Sequence, residues 1–449
     1  MNVMRVIALV DGEHYPAVTR WGLASAAASG YEVLAALLVG GMEKLDASRR
    51  LDLGATDVLT CDGDPMRALG AAIREHRPGA VLDLSDEPVL GYDRRMELVA
   101  VALANGVPYI GPDFRFEPPI VEAALPVPTY GVIGMAKRSG KTALADHVAR
   151  LAAARGLRPV IVAMGRGGPS GPVATRPEDV TLEALKARVE RGEHAASDFL
   201  EDALMAGVPT VGARRCGGGM GGRPFVTNVA EAAALAVEGG AGFVILEGSG
   251  ASVPTVPWDA GLVVIPSDTP AHHVTGYLGP LRILLSDLAV SIIGGGSTPG
   301  AGHLSNLESL VRRFRSDIRV AMGELQPVPL TEVRGKDAFF ATTAHPDAAL
   351  RMASHLERTT GCRVVKVSAA LADRAALEED LASAPAFDVL LTELKAAAVD
   401  VAAKRAAERG AEVVFVDNRP RSAGGDHALD ELIVETLDLA VTRASERMR

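Results

Sequence analysis

One loop restricts the possible folds of this chain more than any other feature. It reads Gly-Met-Ala-Lys-Arg-Ser-Gly-Lys-Thr over residues 134–142, between an apolar segment, Thr129–Ile133, and an alanine-rich segment, Lys141–Arg155. We expect the first segment to form a strand and the second a helix. A loop in this position directs successive backbone N–H groups and the positive end of a helix dipole toward an anion. The sequence therefore predicts a phosphate-binding loop within an α/β fold.

The residues of this loop indicate how it would hold a nucleotide. We predict that the phosphates are bound by Gly134, Ser139, Gly140, Lys141 and Thr142. Lys141 would reach the β- and γ-phosphates from an exposed position at the start of the helix, and Thr142 would hold Mg²⁺. Lys137 and Arg138 add positive charge near the transferred phosphoryl group, and we assign them to catalysis together with Lys141. A glycine-rich turn before an ordinary helix is the alternative.

The spacing within the loop departs from the common pattern. Five residues separate Gly134 from Gly140, whereas the usual phosphate-binding loop has four between its glycines. In this respect the loop resembles that of dethiobiotin synthetase.

A second element supplies an acidic residue for the metal ion. The segment Phe243-Val-Ile-Leu-Glu247-Gly-Ser-Gly250 is an apolar strand that runs into a glycine-rich loop. A phosphate-binding loop requires a carboxylate for Mg²⁺ at the end of a second strand, and we assign that role to Glu247. The segment resembles the Glu-Gly-Ala-Gly element of dethiobiotin synthetase. Weaker alternatives for the carboxylate are Asp179, Asp198 and Asp268, and Glu247 could instead cap a helix.

Two further loops combine glycine with arginine. The first is Met-Gly-Arg-Gly-Gly-Pro at 164–169, and the second spans 212–223 with six glycines among its first eleven residues. Glycines let backbone amides approach a ligand closely, and arginines form bidentate hydrogen bonds with phosphate. We therefore predict a second anionic ligand beside the nucleotide. Its expected contacts are Arg166, Gly167, Arg214, Arg215, Gly217 and Gly218. A flexible loop with solvated arginines is the alternative.

The N-terminal loops are acidic. They read Asp-Gly-Glu-His at 11–14 and Asp-Leu-Ser-Asp-Glu at 83–87. We include Glu13 and His14 among the candidate substrate contacts, although such acidic loops suit a phosphorylated substrate only if a cation or Arg94 and Arg95 approach them. Capping of helices is the ordinary role of these residue types and stays open as the alternative.

The chain is organised as alternating strands and helices. Its 449 residues correspond to roughly three domains. We expect an N-terminal, Rossmann-like parallel-sheet domain at 1–125 and a nucleotide-binding core resembling dethiobiotin synthetase at 126–300. A C-terminal α/β region would follow at 301–449, beyond a glycine-rich segment at 294–302. The prolines between Phe116 and Pro128 mark the first boundary.

Composition excludes several functional classes. The formal net charge of −10 and the lack of a basic stripe argue against a nucleic-acid partner. Three widely spaced cysteines offer neither a disulfide framework nor a paired metal motif, which favours the cytoplasm. The one uncharged run of spanning length, Leu288–Leu307, contains Gly-Gly-Gly-Ser-Thr-Pro-Gly and is too polar for a membrane helix. Sequence leaves the oligomeric state open, with a homodimer as one alternative.

These motifs together resemble the cyclic 2,3-diphosphoglycerate synthetase family. The similarity covers most of the chain and is carried by six segments: Val-Asp-Gly-Glu-His-Tyr-Pro at 10–16, Asp-Leu-Ser-Asp-Glu-Pro at 83–88, the loop at 134–142, Met-Gly-Arg-Gly-Gly-Pro at 164–169, Glu393–Asp400 and Val416–Pro420. The resemblance implies an enzyme that uses ATP and Mg²⁺ to close 2,3-diphosphoglycerate into an intramolecular phosphoanhydride. ADP and phosphate would be released, and the product would act as a compatible solute.

Two other functions compete with this interpretation. The chain could be a different small-molecule kinase or a ligase related to dethiobiotin synthetase. It could also be a nucleotide-switched metallochaperone, although no Cys/His cluster in the sequence supports a metal cargo.

Overall fold

A computed structural model describes residues 3–41, 52–293, 300, 302–424 and 427–449. The strands are β1 (Met4–Val10), β2 (Tyr31–Leu38), β3 (Val58–Thr60), β4 (Ala80–Asp83), β5 (Tyr109–Ile110), β6 (Arg115–Phe116), β7 (Thr129–Gly134), β8 (Pro159–Gly165), β9 (Val173–Thr175), β10 (Thr210–Cys216), β11 (Val226–Thr227), β12 (Phe243–Glu247), β13 (Ala260–Pro266), β14 (Leu288–Ile293), β15 (Arg319–Pro329), β16 (Asp337–Ala341), β17 (Arg363–Ser368), β18 (Val389–Thr392) and β19 (Glu412–Ser422).

The α-helices are α1 (Pro16–Ala28), α2 (Pro65–His76), α3 (Tyr92–Ala104), α4 (Lys141–Ala154), α5 (Leu182–Glu190), α6 (Asp198–Ala206), α7 (Val229–Glu238), α8 (Ala271–Thr275), α9 (Gly279–Leu284), α10 (His303–Arg312), α11 (Pro346–Thr360), α12 (Arg374–Ala382), α13 (Lys404–Glu408) and α14 (Leu429–Arg447). A 3₁₀ turn covers Pro177–Asp179, and a π-helix covers Ala398–Ala403. Among the described residues, no helix is both long enough and apolar enough to cross a bilayer.

The chain divides into two compact units. The first consists of the described residues of 1–121, 219–223 and 271–285. Its sheet has the strand order β3-β2-β1-β4-β5-β6, in which β1 to β5 are parallel and β6 is antiparallel to β5. Both faces of β1 are buried, which explains why that strand is a continuous apolar run in the sequence.

The second unit contains the described residues of 122–218, 224–270 and 286–449. One sheet runs through it in the order β11-β10-β8-β12-β7-β13-β14-β15-β19-β18-β16-β17, with β9 alongside β10. Strands β10 through β15 of this order are parallel, and β19 is antiparallel to β15 but parallel to β18. The long strand β19 thus joins the phosphate-loop part of the sheet to its C-terminal part.

The fold confirms the predicted α/β class with parallel sheets, and the sequence-based boundaries near the phosphate loop lie within one residue of the observed ones. Strands β14 and β15 and helix α14 were not predicted from the sequence. Most of the glycine-rich segment at 294–302 lies outside the described residues.

Candidate functional site

The candidate site lies at the carboxyl edge of three neighbouring strands. The sheet places β12 between β8 and β7, so the ends of these strands meet. Glu247, the last residue of β12, is in register with Val132 of β7 and with Ala163 of β8. Ligands of parallel sheets bind beyond the carboxyl ends of the strands. The phosphate loop, Glu247 and the arginine loop after β8 therefore share one edge.

The phosphate loop folds tightly between β7 and α4. Gly134 has no room for a side chain, because a Cβ atom there would lie 2.7 Å from Ser139 Oγ. Gly140 precedes the first residue of α4 with φ at +91°, a conformation that favours glycine. Lys137 and Arg138 are both exposed on the loop.

The expected exposure of Lys141 is wrong. Its residue is only 6% exposed, because the side chain folds back along the loop. Its ammonium donates hydrogen bonds to Ala136 O at 3.0 Å and to Ser139 Oγ at 3.1 Å. Burial lowers the pKa of Lys141 to about 8, although the Glu247 carboxylate opposes this shift. An anion bound in the loop would favour the charged ammonium.

Thr142 and Glu247 meet despite their separation in sequence. Thr142 Oγ1 donates a hydrogen bond to Glu247 Oε1 at 2.8 Å. Glu247 is 3% exposed, and its Oε2 has no hydrogen-bond partner within the described part of the chain. Burial raises the pKa of Glu247 to about 7, and the Asp198 carboxylate adds to this rise. A buried carboxylate oxygen without a donor is costly unless a cation or a proton compensates it.

This donor set fits Mg²⁺. In nucleotide sites Mg²⁺ is held by one or two protein oxygens, and phosphates and water supply the others. The hydroxyl of Thr142 and the orphan oxygen of Glu247 offer two such oxygens. In the described ranges, no group of three or more His, Cys, Asp or Glu residues is arranged to hold a metal ion by itself.

Of the alternative carboxylates, Asp198 is the one that the structure brings to this edge. It begins α6, and a Cβ atom on Gly165, the last residue of β8, would lie 3.3 Å from Asp198 Oδ2. Its charge also influences the pKa values of Lys141 and Glu247. Asp179 instead accepts a hydrogen bond from Arg176 N in the 3₁₀ turn, and Asp268 is exposed after β13.

The arginines at 214 and 215 lie on a strand, whereas the sequence suggested a loop. They belong to β10, which continues to Cys216, and successive side chains of a strand point to opposite faces. Arg215 is 9% exposed and donates to Gly217 O at 2.7 Å and to Ser249 O at 3.0 Å. Arg214 is exposed and donates from Nε to Gly168 O at 2.6 Å.

Arg215 is the arginine that faces the phosphate-loop edge. Its partner Ser249 follows Glu247 by two residues, and its charge lowers the pKa of Lys141. Burial lowers the pKa of Arg215 itself, and the nearby charge of Arg166 lowers it further. Its Nε is buried without a partner among the described residues. A buried donor of this kind is costly unless an acceptor compensates it.

The loop after β8 is held against β10 and α6. A Cβ atom on Gly168 would lie 1.9 Å from Ala213 O, so only glycine allows this approach. Ser197 Oγ donates to Gly167 O at 3.2 Å, which fixes the carbonyl beside exposed Arg166. In the following loop, Gly217 has φ at +71°, and a Cβ atom on Gly218 would lie 2.9 Å from Ser252 Oγ.

The N-terminal candidates lie in the first unit. Asp11 follows β1 and is 1% exposed; its Oδ1 accepts from the backbone N–H groups of Glu13 and His14 and contacts His14 Nδ1 at 2.8 Å. Asp11 Oδ2 accepts from Asp86 N at 2.9 Å, so this carboxylate connects the two acidic loops. Arg95 donates to Asp83 Oδ2 at 2.8 Å. The half-buried His14 is thereby held in a fixed orientation.

A group of buried carboxylates behind the site was not predicted from the sequence. Asp146 on α4 and Asp202 on α6 are 1% and 0% exposed, and neither Asp146 Oδ1 nor either Asp202 oxygen has a partner among the described residues. Their spacing was a usable signal. Asp146 comes four residues after Thr142, and Asp202 comes four after Asp198, which places each pair on one helix face.

Asp202 gives a prediction about stability. Burial raises the pKa of Asp202 well above its usual range, and the Glu247 and Asp146 carboxylates add to this rise. A carboxyl with a raised folded-state pKa stabilises the fold at low pH, and that contribution is lost as the pH rises. We expect Asp202→Asn to raise the free energy of unfolding by about 1–3 kcal/mol at about pH 9 and by less at about pH 5. Denaturant unfolding of both proteins at the two pH values measures the difference.

The exposed Asp268 provides a matched control for this experiment. Asp268→Asn also removes one charge, but we expect its effect on unfolding to change little between the two pH values. A stability difference for Asp202→Asn that stays constant with pH would show that the carboxyl is ionised in the folded protein.

Comparisons with known proteins agree with this geometry. Three family descriptions of cyclic 2,3-diphosphoglycerate synthetase match consecutive parts of the chain: the N-terminal domain at 5–117, the P-loop domain at 129–323 and the C-terminal domain at 329–419. The P-loop description contains both the phosphate loop and Glu247.

Several similar proteins carry the name cyclic 2,3-diphosphoglycerate synthetase. The protein from Rubrobacter xylanophilus is 42% identical over 95% of this chain and 96% of its own length. The protein from Methanothermobacter thermautotrophicus is 38% identical over 97% and 96%, and that from Thermococcus sibiricus is 38% identical over 93% and 94%. A ParA family ATPase from Chlorobium tepidum aligns with 57% of this chain and 89% of its own, at 10% identity and a TM-score of 0.21. The synthetases of these three organisms do not favour the alternative of another small-molecule kinase or a ligase related to dethiobiotin synthetase.

Proposed function

Because the chain belongs to the cyclic 2,3-diphosphoglycerate synthetase family, we propose that it uses ATP and Mg²⁺ to close 2,3-diphosphoglycerate into an intramolecular phosphoanhydride. ADP and phosphate are the other products. The observation that carries this proposal is the meeting of the phosphate loop, the Thr142–Glu247 pair and Arg215 at one sheet edge. Such an edge can hold a nucleotide and a second anion side by side.

The nucleotide phosphates bind in the loop between β7 and α4. The backbone amides from Gly134 to Thr142 and the N-terminus of α4 surround the β-phosphate. The course of the backbone between β7 and α4 supports this arrangement. Lys141 exchanges its hydrogen bond to Ala136 O for phosphate oxygens, so its ammonium is charged when the nucleotide is bound. Lys137 and Arg138 extend from the exposed side of the loop toward the transferred phosphoryl group.

Thr142 and Glu247 would hold the metal, and Asp198 would be the third candidate for its coordination. When bound, Mg²⁺ neutralises charge on the β- and γ-phosphates and so assists phosphoryl transfer. Glu247 is oriented by its hydrogen bond from Thr142, which leaves Oε2 for the ion or for its water.

Arginines and glycines at the end of β8 and β10 bind the bisphosphate. Arg215 is the principal contact, since it is buried beside Ser249 and retains an unpartnered Nε. Arg166 adds a positive charge from the loop after β8, and Arg214 approaches the bisphosphate from the exposed face of β10. The amides near Gly167, Gly217 and Gly218 complete the pocket. Within the first unit, Glu13 and His14 are further candidate substrate contacts, supported by the fixed orientation that Asp11 gives the His14 ring.

The reaction proceeds in two displacements. One substrate phosphate attacks the γ-phosphorus of ATP, and ADP leaves. The other phosphate of the same molecule then attacks the activated phosphorus, closes the ring and expels inorganic phosphate. Both steps bring anions together, so the main task of the protein is to neutralise charge and to fix the reacting groups in line.

Phosphorus NMR tests the proposal directly. The protein is incubated with ATP, Mg²⁺ and 2,3-diphosphoglycerate, and the spectrum should develop phosphoanhydride resonances of a cyclic product as ADP and phosphate accumulate. Release of phosphate without consumption of 2,3-diphosphoglycerate would instead support a kinase or ligase acting on another substrate.

We also propose a domain division, a cellular location and an oligomeric state for the chain. We infer a Rossmann-like N-terminal domain from the order β3-β2-β1-β4-β5, and we retain the division into 1–125, 126–300 and 301–449. The cysteine pattern supports a cytoplasmic location. A homodimer is the proposed alternative to a monomer, and sedimentation measurements distinguish the two.

The two arginines of β10 give a prediction about substrate affinity. We expect Arg215→Ala to weaken 2,3-diphosphoglycerate about 10–100-fold, because a charge-assisted hydrogen bond contributes about 1.5–3 kcal/mol. Arg214→Ala should have a smaller effect, since Arg214 is exposed. Calorimetric titration of the bisphosphate and of ATP, each alone, measures both affinities.

Arg215→Lys is the matched control, since it keeps the charge but loses the bidentate geometry. We expect an affinity between those of the wild type and the alanine variant. Equal weakening of ATP and the bisphosphate by Arg215→Ala would place this arginine at the nucleotide instead.

A further inference from the structure

The C-terminal region contributes a lysine to the carboxylates behind the phosphate loop. Lys395 lies just after β18, and its ammonium forms an ion pair with Glu201 of α6 at 3.0 Å between Nζ and Oε1. Glu201 is 6% exposed, whereas the Lys395 side chain is 32% exposed. The ion pair connects the segment matched as the C-terminal domain to the segment matched as the P-loop domain.

Both carboxylate oxygens of the neighbouring Glu393 accept hydrogen bonds from residues other than Lys395. Its Oε1 accepts from Thr342 Oγ1 at 3.0 Å and from Asn418 Nδ2 at 2.6 Å. Its Oε2 accepts from Thr343 N at 3.0 Å and from Thr343 Oγ1 at 2.9 Å. These four hydrogen bonds hold Glu393 in place without a bond from Lys395. They also fix the start of the segment that carries Lys395.

Lys395 is positioned beside the nucleotide site by its own segment, because Leu394 packs in one apolar cluster with Ala163, which is in register with Glu247. The charge of Lys395 lowers the pKa of Lys141 and that of Glu247. Burial alone would lower the pKa of Lys395, but the Glu201 and Glu393 carboxylates outweigh burial and raise it, so the ammonium is charged. It is therefore a positive charge near Lys141 and Glu247 of the candidate site.

We propose that Lys395 contacts the phosphoryl group that passes from ATP to the substrate, and that the C-terminal region thereby completes the active site. The inference rests on the proposed function. An ammonium has three N–H donors, and the Glu201 contact occupies one of them. The side chain is 32% exposed, so an anion can approach it. Glu201 and the Glu393 network position the lysine before the ligand arrives.

A neutral variant tests the contribution of the charge. We expect Lys395→Gln to lower kcat by about 30-fold or more, since one preorganised donor at a developing charge is worth about 10²–10³-fold in other enzymes. The Kd of ADP should change less than about threefold, because ADP lacks the transferred group. Lys395→Arg should recover part of kcat. The readouts are steady-state ATP consumption and calorimetric titration with ADP.

A double variant separates this role from simple neutralisation of Glu201. If Lys395 only compensates that buried carboxylate, Glu201→Gln combined with Lys395→Gln removes both charges and should restore kcat. We expect the double variant to recover stability but to keep the low kcat. Recovery of kcat in the double variant, or an unchanged kcat in Lys395→Gln, would overturn the proposal.

Lys366 provides the matched control. Its side chain is 33% exposed and pairs with Asp380 at 3.3 Å, so Lys366→Gln breaks a similar ion pair in the same region and should leave kcat unchanged. Wild-type protein assayed with 2,3-diphosphoglycerate tests the proposed function independently. If the wild type consumes ATP without forming a cyclic product, the choice of substrate fails, while the comparison of Lys395 variants by ATP consumption still decides the present proposal.

Discussion

Replacing Lys141 with methionine is expected to lower ATP turnover about a thousandfold. The substitution removes the ammonium that would hold the β- and γ-phosphates, and it keeps most of the apolar stem. The stem matters because Lys141 is only 6% exposed, so a shorter residue would also leave a cavity. Steady-state assays at saturating ATP measure the turnover.

Lys141→Ala serves as the packing control for this prediction. We expect both variants to be equally inactive, but the alanine variant should unfold at a lower denaturant concentration because it lacks the buried stem. Circular dichroism and denaturant unfolding check that each variant is folded. A folded methionine variant with near-normal ATP consumption would exclude the phosphate-loop role of Lys141.

Replacing Glu247 with glutamine is expected to reduce turnover by about 100-fold or more. Glutamine keeps the shape and can still accept the hydrogen bond from Thr142 Oγ1, which is 2.8 Å from Glu247 Oε1. It removes the negative charge that would attract the metal ion. Excess Mg²⁺ should therefore restore little activity, as titration of ATP consumption with Mg²⁺ would show.

Asp198→Asn is the comparison for the Glu247 variant. Asp198 begins α6 at the same sheet edge, and its charge raises the pKa of Glu247. If it is the third metal contact, this variant should shift the Mg²⁺ dependence to higher concentrations. Should Glu247→Gln leave both turnover and Mg²⁺ dependence unchanged while Asp198→Asn abolishes them, the metal role would move from Glu247 to Asp198.

The sequence predicted those parts of the site that follow from local pattern. An apolar run that ends in a glycine-rich loop locates the carboxyl end of a buried strand, which is why the elements around Gly134 and Glu247 could be assigned. Thr142 and Glu247 are 105 residues apart, yet both lie at strand ends of one parallel sheet, and the structure brings them together. The common edge of the sheet, not the sequence distance, determines their proximity.

Local sequence patterns did not predict the conformation of individual side chains, the length of β10 or contacts between residues far apart in the chain. The burial of Lys141 follows from hydrogen bonds within its own loop, and motif spacing does not reveal them. The separation of Arg214 from Arg215 depends on how far β10 extends, and the glycines after Cys216 suggested a loop instead. Lys395 reaches α6 from a different part of the chain, and no local pattern reports such a contact.

The position of α14 has a consequence for synthesis of the protein. Its apolar residues, among them Leu432 and Leu437, pack into the same core as Tyr130 of β7, and Tyr130 Oη contacts Thr436 Oγ1 at 2.8 Å across 306 residues of sequence. At about 5–20 residues per second, a ribosome would need about 15–60 s to progress from the phosphate-loop strand to this helix. During that interval the nascent chain carries an apolar sheet face without its final cover, so we expect the nascent chain to depend on chaperones until α14 emerges.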